Sequence, residues 1–183
     1  GPNGSIPLTT TAPVFHPGST LTLGDNINNN SDRYPDTLPL TLHSSTLQMN
    51  GVGITNESIG PFSFSGVSSL IFQNPSTGTN VTTLLTPSIT PHNNAVLFVT
   101  LINASFDPTT PNYANLIAST GPVVTNGMIS PAFQSRDPIT NNYNAPPITS
   151  SFLTYTPSGF TQATYTSFPT TGGTGTEIVD LDS

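Results

Sequence analysis

The chain has no lysine, no cysteine and no tryptophan, and its only basic residues are Arg33 and Arg136. Charged residues fill 6% of its 183 positions, where an ordinary globular domain carries about 25%. Two cations cannot build an electrostatic footprint for nucleic acid, because that affinity comes mainly from Lys and Arg on phosphates. The same shortage argues against an anionic membrane surface as partner. Without cysteine there is no disulfide framework and no cysteine-based zinc or redox centre. No apolar run approaches the roughly 18 residues needed to span a bilayer, so no membrane insertion is expected. No basic segment followed by an apolar one marks a signal peptide. Good helix formers are scarce, and 19 Pro and 15 Gly interrupt every long window, which leaves little room for helix.

What remains is Thr, Ser, Asn and Pro, with ten Phe, five Tyr and a net charge of −7. The length suits one domain able to bury a core without staples. Disorder calls for high net charge and few aromatics, and neither applies. Alternation of apolar and polar residues recurs at Leu21–Leu23, Leu38–Leu42, Leu47–Met49 and Phe62–Phe64, the period of a half-buried strand. Ser69–Phe72, Asn80–Leu85, Asn115–Ala118, Pro122–Val124, Ile148–Tyr155 and Phe160–Phe168 extend the series. The run from Ala95 to Ile102 is nearly all apolar and reads as a central strand buried on both faces. Asn50-Gly51, Ser65-Gly66, Thr77-Gly78, Asn126-Gly127 and Ser158-Gly159 supply turn chemistry between the runs. No repeat period of 20–50 residues is evident. The pattern predicts an all-β fold, an antiparallel sandwich or barrel with long polar loops. Residues 1–5 read as a protease scar or linker, 6–169 as one spike or head domain, and 170–183 as a Gly/Thr spacer leading into an acidic region.

No catalytic or metal-binding motif stands out, and no cofactor is expected. His16, His43 and His92 lack neighbours at metal-ligand spacing and read as solvated or turn residues. Asp107-Pro108 and Asp137-Pro138 are turn dipeptides. Asp32 and Asp36 flank Arg33-Tyr34-Pro35, which suits loop pairing better than a glycosidase dyad. Sequons at Asn3, Asn29, Asn56, Asn80 and Asn103 are no more than so Asn- and Thr-rich a chain yields by chance. Two long polar loops, Asp25–Asp36 and Gln134–Pro147, each hold one arginine and at least one tyrosine. Both are expected to be solvent-exposed. Arg33, Tyr34, Arg136 and Tyr143 are therefore the candidate binding residues: Arg offers a planar donor fork, and Tyr a stacking face with a polar tip. The alternative is that each Tyr packs beneath its own loop and each Arg pairs with a neighbouring Asp.

In composition and layout the whole chain resembles viral attachment domains: free of Cys and Lys, rich in Thr, Asn and Pro, all-β, with an acidic exit at Glu177–Asp182. The projecting spike of an astrovirus capsid protein fits best. The adenovirus-type fibre head is the rival, on the alternating leucines 21, 23, 38, 40 and 42, although the absence of Trp departs from the usual start of mammalian heads. No short motif carries the resemblance, and no family binding residue transfers. It implies a non-enzymatic domain on the virion surface that recognises a host receptor or glycan and displays epitopes for neutralising antibodies. It also implies a homo-oligomer, a dimer ahead of a trimer. The alternatives are a bacterial or phage adhesin or carbohydrate-binding module, and a secreted carbohydrate-active enzyme.

Overall fold

Strands form where apolar residues alternate with Thr, Ser and Asn. The computed structural model describes residues 11–24, 27, 31–136 and 150–163. The strands are β1 (Val14–Phe15), β2 (Thr20–Leu23), β3 (Leu40–His43), β4 (Thr46–Asn50), β5 (Ile54–Ser58) and β6 (Phe62–Gln73). They continue as β7 (Asn80–Ile102), β8 (Asn112–Thr120), β9 (Phe133–Arg136), β10 (Ser150–Thr156) and β11 (Gly159–Gln162). The fold is all-β, as the alternation predicts.

The pairing is not the antiparallel one expected. Each strand from β1 to β9 pairs in parallel with a strand of a neighbouring turn of the chain. Only β9–β10 and β10–β11 are antiparallel among the ladders. The chain coils, and successive coils stack as rungs. The first face stacks Leu42 of β3 on Phe64 of β6, and Phe62 on Ile89 of β7. The second face stacks Leu47, Leu70 and Val99. The third stacks Glu57, Leu84 and Leu116. This is a parallel solenoid, in which each rung buries its apolar side against its neighbours.

Two errors of expectation share one cause. The offset between rungs is 22 residues at Thr41/Ser63, 27 at Asn56/Thr83 and 32 at Asn80/Asn112. Loops of different length vary the offset, so no fixed period shows in the letters. The turn dipeptides were equally ambiguous. Asn50-Gly51 and Ser65-Gly66 lie at corners where the chain passes from one face to the next, not at hairpins. Between the first and second faces the corner repeats on four rungs with left-handed residues: Gly18 (φ 80°), Ser44 (48°), Gly66 (61°) and Asn93 (46°). A Cβ on Gly66 would stand 2.2 Å from Ser44 Oγ, so the stacked corner requires glycine there. Ser158-Gly159 does join a hairpin, β10–β11.

The Ala95–Ile102 run is central, paired with β6 and β9, but not buried on both faces. Ala95, Leu97 and Val99 point inward, while Val96, Phe98 and Thr100 face outward, half-buried. Pro122–Val124 is not a strand, and Val123 is 83% exposed. The interior holds a chain of rings: Phe62, Phe64, Phe133 and Phe160 approach at 5.3–6.1 Å between successive centroids. Each fully buried ring or leucine contributes about 1.5–3 kcal/mol over the exposed state.

A stack of parallel strands leaves unpaired backbone at both ends. At the C-terminal end the β10–β11 hairpin crosses the last rung. Asn115 of β8 stands in for a strand: its Nδ2 donates to Phe160 O at 2.9 Å, and its Oδ1 accepts the Phe160 N–H at 2.8 Å. Tyr155 Oη accepts the Ala118 N–H. At the N-terminal end the third face starts with β5, and residues 31–36 run along its open edge. There the buried Glu57 carboxylate accepts the N–H of Arg33 at 2.9 Å and of Tyr34 at 2.5 Å. Asn56 N–H donates to Ser31 Oγ.

Candidate functional site

The four residues singled out by sequence separate sharply. Tyr34 is 1% exposed, packs in the core and donates its hydroxyl to Pro39 O at 2.9 Å. Burial pushes its pKa up to about 12, so the phenol stays neutral. It cannot stack on a ligand; the packing alternative holds for Tyr34, and the expectation of an exposed loop fails at Tyr34 and Pro35. Arg33 is half-buried beside it, its main chain tied to Glu57. Tyr143 lies outside the described residues, as does the rest of its loop from 137 to 147. Gln134–Arg136 is not loop but strand β9.

Arg136 ends strand β9, and the register explains its position. On the outer side of the second face, Thr20, Thr46, Ser69, Phe98 and Gln134 form one row. Thr22, Gln48, Ile71, Thr100 and Arg136 form the next. Arg136 is thus the diagonal neighbour of Phe98, within reach of a long side chain. Its guanidinium carbon stands 5.4 Å from the Phe98 ring centre, a cation–π contact between two half-buried residues worth about 0.5–2 kcal/mol. The ring braces the guanidinium, whose planar fork offers donors toward the cavity that Arg136 lines.

Beside this pair opens a cavity of about 370 Å³. Val99 and Leu101 supply apolar lining. Ser105, Phe106 and Asp107 contribute from the segment that follows β7, and Ser135 and Arg136 from β9. Thr161 and Gln162 come from β11 of the capping hairpin. The solenoid brings together residues from three distant parts of the chain, one of them an aromatic ring and several of them hydrogen-bonding groups. Asp107 Oδ1 accepts the N–H and hydroxyl of Thr109 at 2.9 and 2.8 Å. Those bonds hold its carboxyl below the usual range, so the site carries one anion and one cation. Asp107-Pro108 does form the turn expected of it, and that turn places Asp107 on the cavity lining.

A second cavity, of about 600 Å³, lies on the third face among Leu85, Pro87, Ile117 and Pro157. It brings a single charged group among its described lining residues, Asp36, to a groove of mixed apolar and hydroxyl lining. Among the described residues no group of three His, Cys, Asp or Glu is placed to hold a metal ion, and no helix is long and apolar enough to cross a membrane. No family model, curated protein or solved structure matches this chain.

Of the site residues, sequence reasoning reached Arg136, because cations are so rare here. It missed Phe106 and Gln162. Nothing local distinguishes them; only the rung register carries them to Arg136.

Proposed function

We propose that this chain is a non-enzymatic attachment module, displayed on a particle or cell surface, that recognises a neutral sugar in the cavity beside Arg136. The observation that carries this reading is the composition of that cavity. An Arg, an Asp, a Gln, Ser and Thr hydroxyls and one aromatic ring surround a space of about 370 Å³. Ligand sites of this kind combine apolar walls with a few placed polar groups. Sugar hydroxyls take both donors and acceptors, and Arg136 and Asp107, which both line the cavity, offer one of each kind. An acidic sugar fits less well, because Asp107 and a net charge of −7 oppose it. Asp107 is the cavity's single carboxylate among the described lining residues, whereas glycoside cleavage ordinarily uses a pair.

Among the attachment readings, the adhesin or phage-tail type draws most support from the fold. Stacked rungs give each face a repeating surface, of the kind that solenoids use for binding. The virion spike shares that physics, and the astrovirus resemblance is neither supported nor opposed by any match. Self-association stays part of the proposal: exposed Val14, Ile54 and Val67, each above 60% exposed, leave apolar surface with little charge to repel a second copy.

A glycan array carrying neutral hexosides and uronates tests the reading. The wild type is expected to bind neutral sugars, and Arg136→Ala or Gln162→Ala to weaken that binding at least about tenfold, the size of one good hydrogen bond to a charged group. Failure to bind any neutral glycan overturns the sugar reading; release of cleaved sugar overturns the non-enzymatic one.

A further inference from the structure

We infer that the corner joining the first and second faces carries a transition-metal site formed by His16 and His43 on adjacent rungs. The inference is independent of the sugar cavity. It begins with an alignment that the linear sequence hides. His43 pairs in register with Ser65, and Ser65 with His92. Below them β1 pairs Val14 with Thr41 and Phe15 with Leu42, so the next residue, His16, falls beside His43. Rung-to-rung pairing persists past that point, since Gly18 N–H donates to Ser44 O at 2.9 Å. All three histidines of the chain therefore share one column, His16, His43, Ser65, His92.

Alternation places them outward. Val14 is 67% exposed and Phe15 packs on the core, so His16 returns to the outer side, where it is exposed, as His43 and His92 are. Neighbouring strands lie about 4.8 Å apart. Two imidazoles at that separation can close on one ion at metal–nitrogen distances of about 2.0–2.1 Å. His43 is already oriented: its Nδ1 shares a 2.7 Å hydrogen bond with Ser65 Oγ. That bond occupies one ring nitrogen and leaves Nε2 as the ligand, the arrangement that outer partners impose at metal histidines. Ser65 also separates His92 from His43 by a full rung, so His92 does not join the same ion. Water fills the remaining positions, because no third His, Asp or Glu converges there among the described residues. Imidazole pairs of this kind suit Cu(II), Ni(II) and Zn(II), with Cu(II) bound most tightly.

The test uses the untagged full chain and Cu(II) alone. With one equivalent of Cu(II), electron paramagnetic resonance of the wild type is expected to show two coordinated imidazole nitrogens. His16→Ala and His43→Ala each reduce this to one and weaken binding at least tenfold in a competition titration. Ser65→Ala keeps both nitrogens but loses about tenfold in affinity, as removal of an orienting partner does. His92→Ala changes neither. Melting curves without metal confirm that all four variants fold. A wild-type spectrum with fewer than two imidazoles, or an equal loss on replacing His92, overturns the site.

Discussion

The two ends of the solenoid face the same problem and close it with opposite chemistry. At the C-terminal end the cover is neutral: an amide, a phenol and packed rings. Asn115 mimics a strand edge, and Tyr155 meets Phe160 edge-on at 5.3 Å. At the N-terminal end the cover is ionic: one buried carboxylate, Glu57, gathers the N–H groups of Arg33 and Tyr34. Neutral closure draws on apolar burial and is insensitive to pH. Ionic closure makes stronger individual bonds, but it desolvates a charge. The comparison therefore predicts that the C-terminal cap supplies more stability and the N-terminal cap more pH dependence.

The largest effect is expected at Phe160. It is 1% exposed and touches both Phe133 and Tyr155. Phe160→Ala should cost about 3–5 kcal/mol, the range for a buried ring replaced by a cavity. Urea unfolding followed by tyrosine fluorescence measures it. A loss below about 1 kcal/mol would mean that the hairpin is not part of the cooperative unit.

Next comes Glu57. Glu57→Ala leaves the buried Tyr34 N–H without its acceptor, a penalty of about 1–3 kcal/mol, while the part-buried Arg33 N–H adds less. Its pH signature is the sharper test. Burial is the main cause that raises the Glu57 carboxyl above its ordinary value of 4.5, and the Asp32 and Asp36 charges add to it, against the lowering bonds from Arg33 and Tyr34. A carboxyl raised on folding binds its proton more tightly in the native state, so its contribution is fully present below the unfolded value. That contribution is lost as pH rises through the folded one. The difference in stability between wild type and Glu57→Gln should therefore shift against the wild type as pH rises above 4.5. A difference that is flat with pH would show that Glu57 does not titrate in the fold.

These two ends also show what was legible in the letters. Strands could be read because period-2 alternation is the same in parallel and antiparallel sheets. That sameness is also why the pairing could not be read. Phe62-Ser63-Phe64 looks identical whether its neighbour comes from a hairpin or from a rung 22 residues away. Strand β5, Ile-Thr-Asn-Glu-Ser, escaped because its inward residues are Thr55 and Glu57, and a buried carboxylate breaks the apolar pattern. In the candidate site Arg136 was visible through rarity alone. The Asn- and Asp-rich neighbours of Tyr34 suggest a solvated loop, whereas residues 31–36 close the end of a stack and bury Tyr34 and Pro35 against it.

The smallest effect compares one tyrosine hydroxyl at each end. Tyr34 Oη donates to Pro39 O at 2.9 Å, and Tyr155 Oη accepts the Ala118 N–H at 2.5 Å. Removing either hydroxyl deletes one hydrogen bond, but the partners left behind differ. A carbonyl has two lone pairs and tolerates losing one partner; an N–H has a single proton and is rarely left orphaned in a protein interior. Tyr155→Phe should thus cost about 1–3 kcal/mol, the penalty of a buried donor left unpaired. Tyr34→Phe should cost only about 0.5–1.5 kcal/mol, the net value of an ordinary hydrogen bond. Neither ring lines the Arg136 cavity, so glycan binding should be unchanged in Tyr34→Phe. Paired denaturation curves decide the order. Equal losses would mean that water reaches the Ala118 N–H once the hydroxyl is gone, and that the C-terminal cap is less tightly closed than its aromatic packing implies.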